Sequence, residues 1–143
     1  MRGRLSAHVV RAVALVILAA SCSSEPTRIP LPAPVSKPYG WLDRPTGTVQ
    51  GKTRVFGWAL SDQGAISRIE ILLDSKSVAA DLHRVFRGGL CATYPGRADC
   101  PNAGFQGQVD FALVPKGAHR LALRLTSTSG AVAEIAERTV AVE

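Results

Sequence analysis

From residue 48 onward the apolar positions recur at every second residue over short runs, the period of a strand with one face on a core. Residues 48–50 form a brief first run, stopped by Gly51. In 52–60, Phe56, Trp58 and Leu60 share one face and Val55 and Ala59 the other. Apolar residues on both faces predict an inner strand. After the turn Ser61-Asp62-Gln63-Gly64, residues 66–74 alternate cleanly, with Ile69, Ile71 and Leu73 opposed by Arg68, Glu70 and Asp74. Ser75-Lys76 turns the chain into a run over 77–82. Further on, Val109, Phe111 and Leu113 alternate with Asp110 and Ala112, and Pro115-Lys116-Gly117 forms a turn in which proline presets φ and glycine accepts a positive one. Residues 119–126 point Leu121, Leu123 and Leu125 inward and Arg120 and Arg124 outward. The last run, 132–142, loses its alternation between Glu134 and Arg138, as at a bulge or a two-sided edge; its Ala and Glu also suit a short helix.

About seven strands in under 100 residues, spaced by turns every 8 to 12 residues, predict an all-β, immunoglobulin-like β-sandwich over 46–143. A sandwich this small buries roughly 60–65% of its unfolded surface, so a covalent staple adds usefully to its core.

Upstream the pattern changes. Arg2, Arg4 and Arg11 precede an unbroken apolar run over 12–20, closed by Ser21-Cys22. The run is shorter than the ~20 residues a membrane-spanning helix needs. It reads as an export signal over 1–21 that ends at a cysteine placed for lipidation. This resembles a bacterial lipoprotein signal, although Leu18 lies one position before the place such signals prefer for leucine. Ala19 and Ser21 also suit cleavage by an ordinary signal peptidase. The first reading implies a bilayer partner through acylated (palmitate-bearing) Cys22 and a lipid-anchored location in the cell envelope, on the periplasmic side of the outer membrane or at the cell surface. Residues 22–45, rich in proline (26, 30, 32, 34, 38 and 45), are expected to form an extended tether at ~3.1 Å per residue.

The leader changes the charge argument. It carries three of the 17 basic residues and none of the 11 acidic ones, so the formal charge falls from +6 to +3 on its removal. The remaining excess is not clustered, which argues against a nucleic-acid partner.

Two cysteines remain after Cys22. Cys91 and Cys100 close a loop of about ten residues, and in an oxidising compartment they are expected to pair as a disulfide that pins this loop rather than the two sheets. The surrounding stretch, 84–107, reads as one long irregular segment rich in Arg, aromatic residues and Gly. Long ordered loops in small domains are often functional, and Arg and aromatic residues are enriched at interfaces. Arg84, Phe86, Arg87, Tyr94, Arg97 and Phe105 are therefore the candidate binding residues. The plainer alternative has the aromatic residues capping one end of the sandwich and the arginines pairing with Asp99 and Asp81.

Gly57-Trp58-Ala59-Leu60-x-Asp62, Ile66-x-x-Ile69-Glu70-Ile71-Leu72-Leu73-Asp74, Tyr94-Pro95, Ala103-Gly104-Phe105 and Gly117-x-His119-x-Leu121 together resemble bacterial Ig-like domains. That resemblance implies a β-sandwich module without chemistry of its own. The residues agree: His83 and His119 have no ligand-like partners at helical or strand spacing, and no nucleophile, phosphate-binding or dinucleotide motif occurs. The expectation is no catalytic residue, no metal and no cofactor. The expected role is a binding or structural module whose partner is an envelope protein or a glycan. For a glycan, Tyr39, Trp41, Trp58 and Tyr94 are the aromatic candidates; an inhibitor or accessory subunit of a neighbouring enzyme is a further alternative.

Overall fold

The computed structural model describes residues 35–143; the leader, Cys22 and most of the tether lie outside them. Strands β1 (Tyr39–Arg44), β2 (Gly47–Val49), β3 (Lys52–Leu60), β4 (Ile66–Leu73), β5 (Lys76–Val78) and β6 (Ala80–Val85) precede a short helix, α1 (Gly88–Thr93). Strands β7 (Gly104–Asp110), β8 (Gly117–Ser127) and β9 (Val132–Val142) complete the chain. One sheet has the order β1-β3-β7-β6 and the other β2-β9-β8-β4-β5. Lettered along the chain, with β2 continuing the first strand, these are the ABED and GFC sheets of an immunoglobulin sandwich, with β5 in the C′ place. The fold class expected from the pattern is therefore the one observed.

Two differences raise the strand count from seven to nine. The first is β1, which lies in the stretch read as tether. Pro38 and Pro45 fall just outside it, so the residues between them keep their N–H groups and pair with β3 as an edge strand. The second is the run 77–82, which is divided between the sheets. β5 pairs with β4 through Val78↔Ile71, and the chain then crosses at Ala79 so that Ala80 pairs with Val109 on β7.

The core lies between the sheets. Leu42, Val55, Ala59, Phe105 and Val109 face Ile71, Leu121, Leu123, Leu125 and Val140. Phe56 and Trp58 are on the outer face of β3 and half-buried there. Leu113 does not continue the alternation of β7: it is 97% exposed, because the Asp110 carboxylate accepts the Ala112 N–H and turns the chain out of the sheet. The irregularity expected in the last strand is a bulge. Leu121 pairs with Arg138 but Leu123 with Ile135, and Ala136 takes up the extra residue at φ 55°.

Candidate functional site: the disulfide-stapled segment

The stretch 84–107 is less irregular than its composition suggests. Its beginning belongs to β6 and its end to β7, and α1 stands between them. The Arg87 N–H donates to the Pro101 carbonyl at 2.9 Å, closing the base of the excursion, and the Ala59 N–H donates to the Ala103 carbonyl at 3.0 Å, fixing its return to β3. Inside this frame Cys91, on α1, forms a disulfide with Cys100. Such a bond belongs to a chain that matures in an oxidising compartment.

Each of the three candidate arginines meets an aspartate. Arg84 Nη2 lies 3.1 Å from Asp99 Oδ1, Arg87 Nη1 is 2.6 Å from Asp43 Oδ2, and Arg97 Nη2 is 2.7 Å from Asp62 Oδ1. Asp43 is on β1 and Asp62 follows β3, so the segment is tied to the body at both places. Arg97 Nε also donates to the Tyr39 hydroxyl, which donates to Asp62 Oδ1, each at 3.0 Å. Burial raises the Tyr39 pKa above its ordinary value against the opposing Arg97 hydrogen bond.

Asp99 gives the staple a reach that the cysteine spacing did not predict. Its carboxylate is 5% exposed and accepts the Ile66 N–H at 3.0 and 3.2 Å while holding Arg84. Ile66 opens β4 in one sheet and Arg84 lies on β6 in the other. The disulfide at the adjacent Cys100 thus positions a carboxylate that bridges the sheets, where a purely local staple was expected. Arg84 Nη2 also donates to the Ala59 carbonyl at 3.3 Å. Desolvation lowers the Arg84 pKa, and the Asp99 charge opposes that shift.

The aromatic candidates divide three ways. Phe105, expected in the binding loop, is 1% exposed and belongs to the core: it sits on β7 over Gly57, where an added Cβ would come within 2.8 Å of its ring. Tyr94 stacks on Trp58 (centroids 6.2 Å apart, 29° between planes) and leans on Tyr39 at 5.8 Å, making a small apolar cluster beneath the segment. Phe86 is 73% exposed. Trp41, 53% exposed, carries the Arg138 guanidinium 5.6 Å above its ring. Arg138 in turn donates to the carbonyls of Pro45 and Leu42.

Sequence reasoning missed Asp43 and Tyr39 as partners of the segment, because prolines on either side placed them in the tether. The apolar and aromatic run Tyr39-Gly40-Trp41-Leu42 was the available signal. The two histidines of the described residues are engaged locally. His83 Nε2 lies 3.1 Å from Gln106 Nε2, and His119 sits between Asp74 Oδ2 at 2.7 Å and the Pro115 carbonyl at 2.6 Å. Among the described residues, no three His, Cys, Asp or Glu side chains are gathered as a metal site.

No known protein family matches the sequence, and neither does any curated protein. Solved structures do align with it. The fibronectin(III)-like modules of Clostridium thermocellum CbhA align at 16% identity over 76% of this chain and 46% of theirs, with a TM-score of 0.48. The SrpA adhesin of Streptococcus sanguinis aligns at 9% identity over 78% of this chain and 60% of its own, with a TM-score of 0.49. An endo-beta-1,4-mannanase from Thermotoga petrophila aligns at 8% identity over 76% of this chain and 20% of its own, with a TM-score of 0.50. This chain spans less than two thirds of each of these proteins, and the likeness to the mannanase is one of fold alone.

Proposed function

We propose that the protein is a non-catalytic, immunoglobulin-like binding module of the bacterial cell envelope. In this reading it is held to the membrane by lipid on Cys22 and contacts an envelope protein through the stapled segment. The observation that carries it is the contrast within that segment. A disulfide and three arginine–aspartate pairs brace it, yet its aromatic Phe86 is left 73% exposed. A rigid backbone presenting an aromatic anchor binds with little ordering entropy, and such anchors dominate interface energetics. Arg84, Arg87 and Arg97 act in this scheme as braces and Tyr94 as the floor; Phe86 makes the contact. The leader supports the address, and the disulfide supports export.

Two experiments separate the parts of the proposal. Cys22→Ala should abolish acyl labelling and move the protein from the membrane to the soluble fraction; retention in the membrane refutes the anchor. Affinity capture from envelope extract should recover a discrete partner with the wild type and lose it with Phe86→Asp. Equal recovery by the two, with both folded, refutes the segment as the contact.

A further inference from the structure

The outer face of the β1-β3-β7-β6 sheet is only half covered by the stapled segment. On the other half the strand registers set side chains in rows: Phe56, Gln106 and His83 in one, Arg54, Gln108 and Asp81 in the next, then Lys52 beside Asp110. A surface cavity of about 340 Å³ lies here, lined by Arg54, Asp81, His83, Gln106, Gly107 and Gln108.

The second row is unusual for this protein. Of the nine arginines among the described residues, eight hold a hydrogen bond or ion pair, and Arg54 alone has none. Asp81 is likewise the one aspartate of the described residues without a partner. Both line the same cavity. They stand two strand spacings apart, about 10 Å, too far to pair with each other. Between them lies Gln108, whose amide is also free of partners among the described residues.

We infer that this face is a binding site for a neutral polysaccharide. The guanidinium only donates, the carboxylate only accepts, and each amide does both. A hydroxyl-rich chain, whose every hydroxyl donates and accepts, satisfies the whole row; an anionic or cationic ligand satisfies one end and opposes the other. The charges agree, because Lys52 and Arg54 balance Asp81 and Asp110, leaving no net field to attract a polyanion. Phe56, half-buried in the neighbouring row, supplies a ring on which the apolar face of a sugar packs. The site depends on neither Phe86 nor Cys22.

The test is depletion binding of the full-length chain to beads carrying dextran, galactomannan, hydroxyethyl cellulose or polygalacturonate, at about 0.05 and 0.5 M NaCl, concentrations that separate screened from unscreened attraction. The expected result is binding to at least one neutral matrix, unchanged by salt. Arg54→Ala and Asp81→Ala each weaken it at least about tenfold, the value of one charge-assisted hydrogen bond, while Phe86→Ala binds as wild type does. Circular dichroism confirms that each variant is folded. Failure to bind any neutral matrix, binding undiminished in the Arg54→Ala/Asp81→Ala double variant, or binding to polygalacturonate alone that disappears at high salt would each overturn the inference.

Discussion

Replacing Asp99 with alanine tests whether the stapled segment braces the sandwich or merely decorates it. The carboxylate is 5% exposed and has two obligations: the Ile66 N–H on β4 and the Arg84 guanidinium on β6. Losing the first strands a backbone donor at a cost of about 1–3 kcal/mol. Losing the second breaks an ion pair for which about 3–5 kcal/mol is usual in full burial. Arg84 is 31% exposed at its side chain, so water takes up part of that loss and the pair contributes well under the buried figure. Together these give a destabilisation of about 3 kcal/mol, a large fraction of the 5–15 kcal/mol typical of a folded domain. For a domain of this size it corresponds to a fall in Tm of roughly 15 °C. Urea unfolding with the disulfide intact, followed by Trp58 fluorescence, measures it directly. Asp99→Asn keeps an acceptor for Ile66 and should lose less. In a double-mutant cycle, Arg84→Met should reduce the further effect of Asp99→Ala by about 1 kcal/mol or more, since the two share one interaction. A change below about 1 kcal/mol for Asp99→Ala, or strict additivity with Arg84→Met, would refute the bridge between the sheets.

Other consequences follow from the same contacts. Cys91→Ser/Cys100→Ser should lower stability by roughly 2.7 kcal/mol from the loop entropy alone, and less than additively with Asp99→Ala because the staple acts partly through that residue; calorimetry of the three variants checks both points. Phe105→Ala should destabilise the domain by about 3–5 kcal/mol and Phe86→Ala by under about 0.5, although both are aromatic residues of one segment, and the two urea midpoints decide this. His119 and Asp74 should produce a stability plateau. The Asp74 hydrogen bond, then the Pro115 carbonyl, raises the His119 pKa, so this contribution is complete below the unfolded value near 6.5 and is lost as pH rises through the raised folded value. The His119 hydrogen bond, then the Arg120 N–H, lowers the Asp74 pKa, so that contribution is complete above its unfolded value of about 3.9 and is lost as pH falls through the depressed one. Thermal unfolding between pH 3 and 9 should therefore peak between about pH 4 and 6.5, and His119→Gln should remove the alkaline decline.

What could be read in advance was whatever a two-residue period or a local rule expresses. In β4 and β8 the apolar residues recur at every second position toward the core, so Ile71, Leu73, Leu121, Leu123 and Leu125 were legible for that reason, whereas the burial of Leu72 and Ala122 on the opposite face was not. The break over 134–138 foretold the bulge at Ala136, and an exported chain with two cysteines nine positions apart foretold the staple. The failures have a common cause in composition. Prolines on both sides hid β1, and arginine and glycine hid the ends of β6 and β7, so Phe105 reads as a loop residue although β7 carries it into the core. Asp99 was beyond reach for another reason. Its main partner is a backbone N–H 33 residues away, and backbone groups leave no mark in sequence. The row Arg54, Gln108 and Asp81 is invisible in the same way, because it exists only through the register of three strands.

Everything proposed for the function turns on the braced segment being the protein's contact surface. Site-specific photocrosslinking in intact cells tests it most directly, with the reactive group at position 86 or at position 113. Both sites are highly exposed, and they lie beyond opposite ends of β7. A discrete crosslinked product is expected from 86 and none from 113. A product from 113 alone, or none from either position, would contradict it.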